Sequence, residues 1–327
     1  MLELIAKRLA AGADSPVWAT KKLNQMAALR LQMQTLIADL QREAATGVGS
    51  ALTEAYERGG LAALADLGVS GVIEPLAGAK AIEMLTAEVM GNLSATSARI
   101  LRVAMDAYRD AVAKGAEQVL LGVATRLEGA QMVLDDLAKR GITGFIDSAG
   151  RGWSLESYSE MAVRSGTMRA SLAGHMDTLL ENGIDLVIVS ADGSPCELCQ
   201  PWEGQVLSIS GDNPDYPSVA DCEGAGWGHP GCRHTLSAYQ EGITRPYPEK
   251  SEADIADEAQ RYQDQQRLRY IERQIRASKR LEAVALDPAA QKAAAARVAA
   301  YQAKARELVK STDVTRQYAR EAVGKAH

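Results

Sequence analysis

All four cysteines and two of the four histidines of this 327-residue chain fall between Asp185 and Tyr239. Cys196 and Cys199 form a Cys-x-x-Cys turn, and about thirty residues later comes His229-Pro230-Gly231-Cys232-Arg233-His234. Thiolate sulfur and imidazole nitrogen are the donors zinc prefers, and four of them around one ion close a structural site. One turn presents the sulfurs of Cys196 and Cys199 to a single point. Cys232 follows as the third donor, and the fourth place lies between His229 and His234. Residues two apart in an extended segment share a face, so Cys232 and His234 can both point inward. Cys222 belongs to a different loop and is expected to be a buried thiol. The competing reading packs four reduced cysteines as small hydrophobes. No secretory signal is read at the N-terminus, so disulfides are not expected.

These donors need elements to carry them. The apolar run Leu186-Val187-Ile188-Val189 reads as a strand leading into the first turn, and Gln205 to Ile209 alternates like a second strand after Trp202-Glu203-Gly204. Upstream, Ile142 to Ile146 reads as a strand and Arg151-Gly152-Trp153 as a tight approach to a helix. Ser154 makes a good N-cap, with Glu156 in the first turn where a carboxylate favours the dipole. That helix carries Leu155, Tyr158, Met161, Met168, Leu172, Met176 and Leu179 along one side, and Asn182-Gly183 stops it. The module is strand, long helix, strand, metal turn, strand and closing His/Cys loop. The glycines around Gly224-Ala225-Gly226-Trp227-Gly228 lack the strand–turn–helix setting of a phosphate loop and read as a flexible approach to the metal loop.

Catalytic readings are weaker. Glu160 and Arg164, with His175 as a base, form a tempting trio on the helix. Glu four residues before Arg is, however, the favoured surface ion pair, worth a few tenths of a kcal/mol, and His175 beside Met176 belongs at the edge of a core. No His-Glu-x-x-His, nucleophile elbow or Walker loop is present. Glu197 and Glu203 are near the donors in sequence, but neither is set like a general acid. With two or three thiolates available the ion is closed off, so no enzyme is expected. A zinc hydrolase or nuclease would need an open coordination position beside a carboxylate.

Apolar residues make up 46% of the chain and aromatics only 5%, with a single Phe. A chain so rich in alanine and leucine is expected to be mostly helical. No run of eighteen apolar residues exists, so no membrane helix is expected, and a soluble protein made in the cytoplasm fits. Residues 1–140 read as helical. Ser15 is the N-cap of a helix starting at Pro16. Met26, Leu29, Met33, Leu36, Ile37 and Leu40 make one helical face, which Gly47-Val48-Gly49-Ser50 interrupts before another helix runs to about Gly59-Gly60. Further helices are expected from Gly78 to Met90, Ser94 to Lys114 and Ala116 to Lys139. After Pro246 and Pro248 the chain turns helical again. Leu268, Ile271 and Ile275 form a narrow stripe, and Asp287-Pro288 starts a second helix with Val298, Tyr301, Ala305 and Leu308 on one side. The net charge is −6, unevenly placed: from Arg261 onward stand 15 basic and 7 acidic residues, leaving 21 basic and 35 acidic in the rest. A basic tail on an acidic body suggests DNA or an acidic protein surface as partner. Without interleaved aromatics, any DNA contact would be to phosphates and salt-sensitive.

The runs Gly150-Arg151-Gly152-Trp153-Ser154-Leu155-Glu156-Ser157-Tyr158, Glu160-Met161-Ala162-Val163-Arg164, Asp185-Leu186-Val187, Cys196-x-x-Cys199-x-x-Trp202-x-Gly204 and His229-Pro230-x-Cys232-Arg233-His234 resemble, in order and combination, the phage minor capsid protein 2 family, itself similar to Mu F-type head morphogenesis proteins. The matching core covers about residues 140–245, and the basic helix near Arg261 looks like the family's tail. Two departures stand out: Gly231 occupies a position where the family often has Asn, and Cys222 is extra. The resemblance implies a low-copy, oligomeric virion protein of the phage head, made in the bacterial host cytoplasm. It would act in head assembly near the portal, with the portal protein and the major capsid protein as partners and packaged DNA within reach of the basic tail. It implies no established catalysis. The expected fold is mainly α with a small α+β core module. Residues 1–140 form a helical assembly region, 141–245 the minor-capsid core with the Cys/His site, and 246–327 a basic helical tail. A zinc hydrolase carried in the head and a plain DNA-binding zinc protein are the other classes the residues allow.

Overall fold

The computed structural model describes residues 2–71, 78–140, 145–146, 152–153 and 155–323. The expected architecture is present: long helices before and after a small antiparallel sheet. In chain order these are α1 (Leu2–Ala10), α2 (Trp18–Asn24), α3 (Met26–Asp66), α4 (Ala79–Leu120) and α5 (Arg126–Arg140). Strands β1 (Phe145–Ile146) and β2 (Gly152–Trp153) follow, then α6 (Leu155–Glu181), β3 (Leu186–Val189), β4 (Val206–Ser208), α7 (Val219–Gly224), β5 (Leu236–Ala238), α8 (Glu252–Ala283) and α9 (Pro288–Ser311). No helix among the described residues is long and apolar enough to cross a membrane.

The chain divides into two compact units. The first holds Met1–Arg42, Leu93–Ser159 and Gln265–His327; the second holds Glu43–Asn92 and Glu160–Asp264. In the first, Trp18, Tyr108, Leu29, Met33 and Leu134 are fully buried in one core with Leu281 and Val284 of the C-terminal stretch. Backbone acceptors stitch it together: Trp18 Nε1 donates to the Leu9 carbonyl at 3.0 Å, and Arg280 Nε to the Ala138 carbonyl at 3.0 Å. Beyond α9 the chain returns over α8, where Val314 packs with Leu268 and Ala305. There the buried Glu321 carboxylate accepts from Arg316, and Lys279 donates to the Glu321 carbonyl at 2.7 Å.

In the second unit, α6 packs against the C-terminal half of α3 by close backbone approach. A Cβ on Gly59 would overlap the Ser171 carbonyl, and one on Gly174 would overlap the Tyr56 carbonyl. The side-chain surface of α6 also covers the sheet, since Leu172 and Leu179 share a core with Val187, Val189, Leu207 and Leu236. The order of that sheet is β4-β3-β5, antiparallel throughout, with Val187 opposite Leu207 and Val189 opposite Leu236. His175, proposed by sequence at the edge of the core, is buried on α6. Its Nε2 lies 3.1 Å from Asp66 Oδ2 of α3, and the same oxygen accepts the Ala238 N–H of β5 at 2.8 Å. That oxygen ties α3, α6 and β5 together.

Several sequence-based boundaries are corrected. Gly47 and Gly49 do not break α3, which runs on to Asp66. Each glycine costs about 1 kcal/mol in a helix interior, and burial of Val48 and Leu52 holds the helix through them. The three helices expected between Gly78 and Lys139 are two, because Gly91 and Gly115 lie inside α4. Gly115 is a packing site: a Cβ there would sit 2.7 Å from the Arg126 carbonyl and 3.1 Å from the Trp18 ring. The real break comes at Gly122, whose φ is +67°. Thr125 and Glu128 then exchange backbone hydrogen bonds of 2.7 and 3.2 Å in a capping box that opens α5. Ser15 is not an N-cap. Its carbonyl accepts the Trp18 N–H at 3.0 Å, and α2 begins at Trp18, where the buried indole fixes the start. Helix α1 lies within the stretch expected to be helical, with Glu3 in its first turn. Helix α8 starts at Glu252, well before Arg261, under a capping box of Ser251 and Asp254. Asp287 caps α9 as expected, accepting the Ala290 N–H at 2.9 Å. Segment 219–228 is more ordered than a flexible approach: it forms α7, and Trp227 is buried in the core beside Cys222. Gly152-Trp153 is strand β2, paired with Phe145-Ile146. The proposed Ser154 cap and the strand residues Ile142 to Gly144 lie outside the described residues.

Glycine chemistry separates packing sites from propensity costs. Gly174→Ala should destabilise the protein by about 1–3 kcal/mol through overpacking. Gly47→Ala and Gly49→Ala, where a Cβ meets nothing within 4 Å, should each stabilise it by about 0.5–1 kcal/mol. Urea denaturation of the three variants checks both signs.

Candidate metal centre

Topology brings the donors together. β3 is the middle strand, and both partners run antiparallel to it, so the C-terminal end of β3 meets the start of β4 and the start of β5. The loop from β3 to β4 carries Cys196 and Cys199, and the loop into β5 carries His229, Cys232 and His234. Backbone pairs close this end: Gly204 N–H donates to the Val189 carbonyl at 3.0 Å, and Ser190 N–H to the Thr235 carbonyl at 2.9 Å. The Cys-x-x-Cys segment is a tight turn, with Cys199 N–H and Gln200 N–H both donating to the Cys196 carbonyl. Gly204, at φ +76°, makes the reversal that starts β4.

The five sequence-predicted residues converge as two triads that share Cys199. One is Cys196, Cys199 and His229; the other is Cys199, Cys232 and His234; within each, the donor atoms lie within 4.8 Å of one another. Cys199 Sγ is 3.6 Å from Cys232 Sγ, far beyond the ~2.05 Å of a disulfide, and all four cysteines are free thiols. Cys232 Sγ is 3.5 Å from His234 Nδ1, and Cys196 Sγ is 3.0 Å from His229 Nε2. Cys222 is fully buried in the apolar core and stands outside both triads.

Each histidine has its second nitrogen engaged. His229 Nδ1 lies 3.1 Å from the Pro230 carbonyl. His234 Nε2 lies 2.8 Å from Glu203 Oε1. An ionised carboxylate only accepts, so His234 Nε2 carries a hydrogen and Nδ1 faces the sulfur. Glu203 is itself only 3% exposed in its side chain. It accepts the Asp192 N–H at 2.7 Å and pairs with Lys250, which also reaches Glu258 at 2.7 Å. Nothing in the sequence flagged this chain of charges. Glu203 sits among the donors without a motif of its own, and Lys250 and Glu258 become its neighbours only through the fold.

Electrostatics follow the contacts. Cys232 is held well below the ordinary thiol value by the hydrogen bond from the Cys199 thiol, against the cost of burial and with help from His234. Cys199 is pushed up by that same contact and by burial. Burial works against charge on His234, but Cys232 and Glu203 outweigh it and raise the imidazole. Burial likewise opposes charge on Glu203, and Lys250 overrides it so that the carboxyl is held below its ordinary value. Cys222 is pushed up to about 12 by burial, with the charges of Glu223 and Cys232 adding to it.

The donor set fits a metal ion. Zinc–sulfur bonds of ~2.3 Å and zinc–nitrogen bonds of ~2.0–2.1 Å at tetrahedral angles imply S–S edges near ~3.8 Å and S–N edges near ~3.5 Å. The Cys199–Cys232 and Cys232–His234 separations match these edges, so this triad could hold a metal ion, while Cys196 and His229 form the second triad about Cys199.

The sequence pattern of the family described as phage minor capsid protein 2 matches residues 1–310. The chain belongs to the phage minor capsid protein 2 family. Family similarity thus extends well beyond the 140–245 core and the tail on which the resemblance rested. A protein named "Structural protein" from Lactococcus phage LL-H is 33% identical over 235 residues, covering 67% of this chain and 62% of that relative. The chain therefore spans less than two thirds of the relative's length. No solved structure matches.

Of the runs that carried the resemblance, Asp185-Leu186-Val187 has a clear physical role in this minor capsid protein. Asp185 opens β3 and clasps the end of β4. Ser208 Oγ donates to its carboxylate at 2.6 Å and Ser210 N–H at 2.7 Å. Burial opposes the charge, but these hydrogen bonds win and the carboxyl lies below its ordinary value of 3.8. A carboxyl depressed in the folded state lends stability above its unfolded pKa and loses it as pH falls through the folded one. Asp185→Asn should therefore be less stable than the parent at pH 7, and the gap should close as pH drops below about 4. Thermal melts across pH 3–7 provide the check.

Proposed function

We propose that this minor capsid family member is a structural component of the phage head. It acts in head assembly at the portal and the capsid interior and carries one structural zinc ion in its Cys/His centre. The observation that carries the reading is the family match along residues 1–310. It is joined by a buried donor cluster at the end of a sheet whose strands are only three or four residues long. So small a sheet buries little apolar surface, and a metal that staples its loops contributes folding free energy directly. The partners are the portal protein and the major capsid protein, in an oligomeric virion assembly built in the host cytoplasm. The three stretches 1–140, 141–245 and 246–327 divide the work as assembly region, zinc-bearing core and basic tail.

Catalysis is not part of this reading. A zinc hydrolase would need a carboxylate free to handle a proton, and Glu203 is already engaged by His234, Lys250 and the Asp192 N–H. A DNA contact keeps support from one element. In the tail, Arg269, Arg276, Lys279, Arg280 and Arg316 spend their donors on internal acceptors. On α9, Lys292, Arg297, Lys304, Arg306 and Lys310 are all exposed. Contacts from that helix would go to phosphates, and their affinity would fall steeply with salt.

Elemental analysis of the purified protein and of Cys196→Ser/Cys199→Ser tests the zinc. About one zinc per chain is expected, lost in the variant together with a drop in melting temperature on the order of 10 °C. A wild-type protein without metal would end the zinc reading. Mass spectrometry of purified virions tests the placement: the chain should copurify with full heads, and its absence from them would overturn a structural role.

A further inference from the structure

We propose that His234, not His229, is the imidazole ligand of the centre. Glu203 is the positioning residue that holds it, and through Lys250 it joins the metal to the first turns of α8. The proposal rests on the zinc reading above and asks which atoms make the site.

Three observations separate the two histidines. The first is distance. Cys232 Sγ to His234 Nδ1 is 3.5 Å, the edge a zinc tetrahedron requires. Cys196 Sγ to His229 Nε2 is 3.0 Å, about half an ångström too short for such an edge and within reach of a direct hydrogen bond. The second is burial. His234 is 2% exposed, whereas His229 is only partly buried in its loop. The third is the far side of each ring. His229 meets only the carbonyl of its neighbour Pro230. His234 meets a buried carboxylate fixed by a backbone N–H and a lysine. A carboxylate on the outer nitrogen of a metal-bound imidazole fixes the ring's tautomer and orientation and raises its basicity. The ligands are then Cys199, Cys232 and His234, which already form one triad, with Cys196 turning in as the fourth from its present place beside Cys199 and His229.

The same carboxylate reaches further. Lys250 bridges Glu203 and Glu258, and it immediately precedes Ser251, the residue that caps α8. Glu258 is buried two turns into that helix. An ion that fixes His234 fixes Glu203, and Glu203 holds the lysine that seats the helix start.

Cobalt(II) titration of the full chain, read by its visible d–d bands and thiolate charge-transfer absorption, tests the ligand set. His234→Ala should bind at least ~100-fold more weakly with altered d–d bands, Glu203→Gln ~10–100-fold more weakly with charge transfer retained, and His229→Ala within ~3-fold of the parent with its bands unchanged. Far-UV circular dichroism confirms that each variant is folded, and the comparison of the two histidine variants does not depend on Glu203→Gln folding. Loss of the bands in His229→Ala but not in His234→Ala would overturn the ligand assignment. Hydrogen exchange over residues 252–262 tests the link: it should speed up in the zinc-loaded Lys250→Met variant as it does in the metal-free parent. Exchange unchanged in Lys250→Met would overturn it. A parent chain that binds no cobalt would instead defeat the zinc reading itself, a result distinct from either.

Discussion

Strand β3 spans four residues, yet both its edges are paired and its side chains are almost wholly buried. The five donor side chains hang from the loop that leaves this strand and from the loop that leads into its neighbour β5. Because the two neighbouring strands run opposite to it, their starts lie at its C-terminal end, and two donor segments about thirty residues apart in sequence meet there. Take away the pairing of Val187 with Leu207 and of Val189 with Leu236, and the cysteines have no common place to meet. The sheet is in turn held from outside. Helix α6 covers it, Asp185 clasps the end of β4, and Asp66 reaches from α3 to the backbone of β5.

The centre was legible in the sequence because its signals are short-range. A Cys-x-x-Cys turn, an alternating strand and a residue pair two apart on one face are all properties of a few neighbouring residues. The departure at Gly231 is explained by the backbone, since its φ of +89° is a conformation that glycine adopts freely and Asn tolerates better than most residues. What sequence could not supply were the partners that fold brings in from afar. Glu203 looks ordinary beside Trp202, and Lys250 looks like part of a polar linker, until the chain closes and a buried imidazole lies between carboxylate and sulfur. Helix boundaries failed for a related reason. A glycine in a helical stretch reads locally as a stop, but Gly59, Gly115 and Gly174 are where another backbone comes close. The break at Gly122 and the start of α8 at Glu252 are marked instead by capping boxes, Thr125 with Glu128 and Ser251 with Asp254.

Charge in the tail shows the limit of composition as an argument. The excess of basic residues after Arg261 reads as an offer to a partner, and much of it is spent within the first unit. Arg276 and Lys279 donate to backbone carbonyls of the returning C-terminal segment, and Arg316 pairs with a buried glutamate. These contacts satisfy acceptors that would otherwise be left without a partner in a segment with few apolar residues. Helix α9, in contrast, shows a consistently exposed set of cations.

The compactness of the Cys/His module in sequence bears on how the protein is made. All five donors and the three strands of the β4-β3-β5 sheet lie between Leu186 and Ala238, so closing the loops between them costs little chain entropy. Lys250 and Glu258 follow this segment. During synthesis the donors are therefore complete before α8 exists, and chains fold from the N-terminal side as they emerge. The centre can close first and present Glu203 as a finished socket, onto which the lysine at the head of α8 is then threaded. The helix inherits its starting point from a site already built.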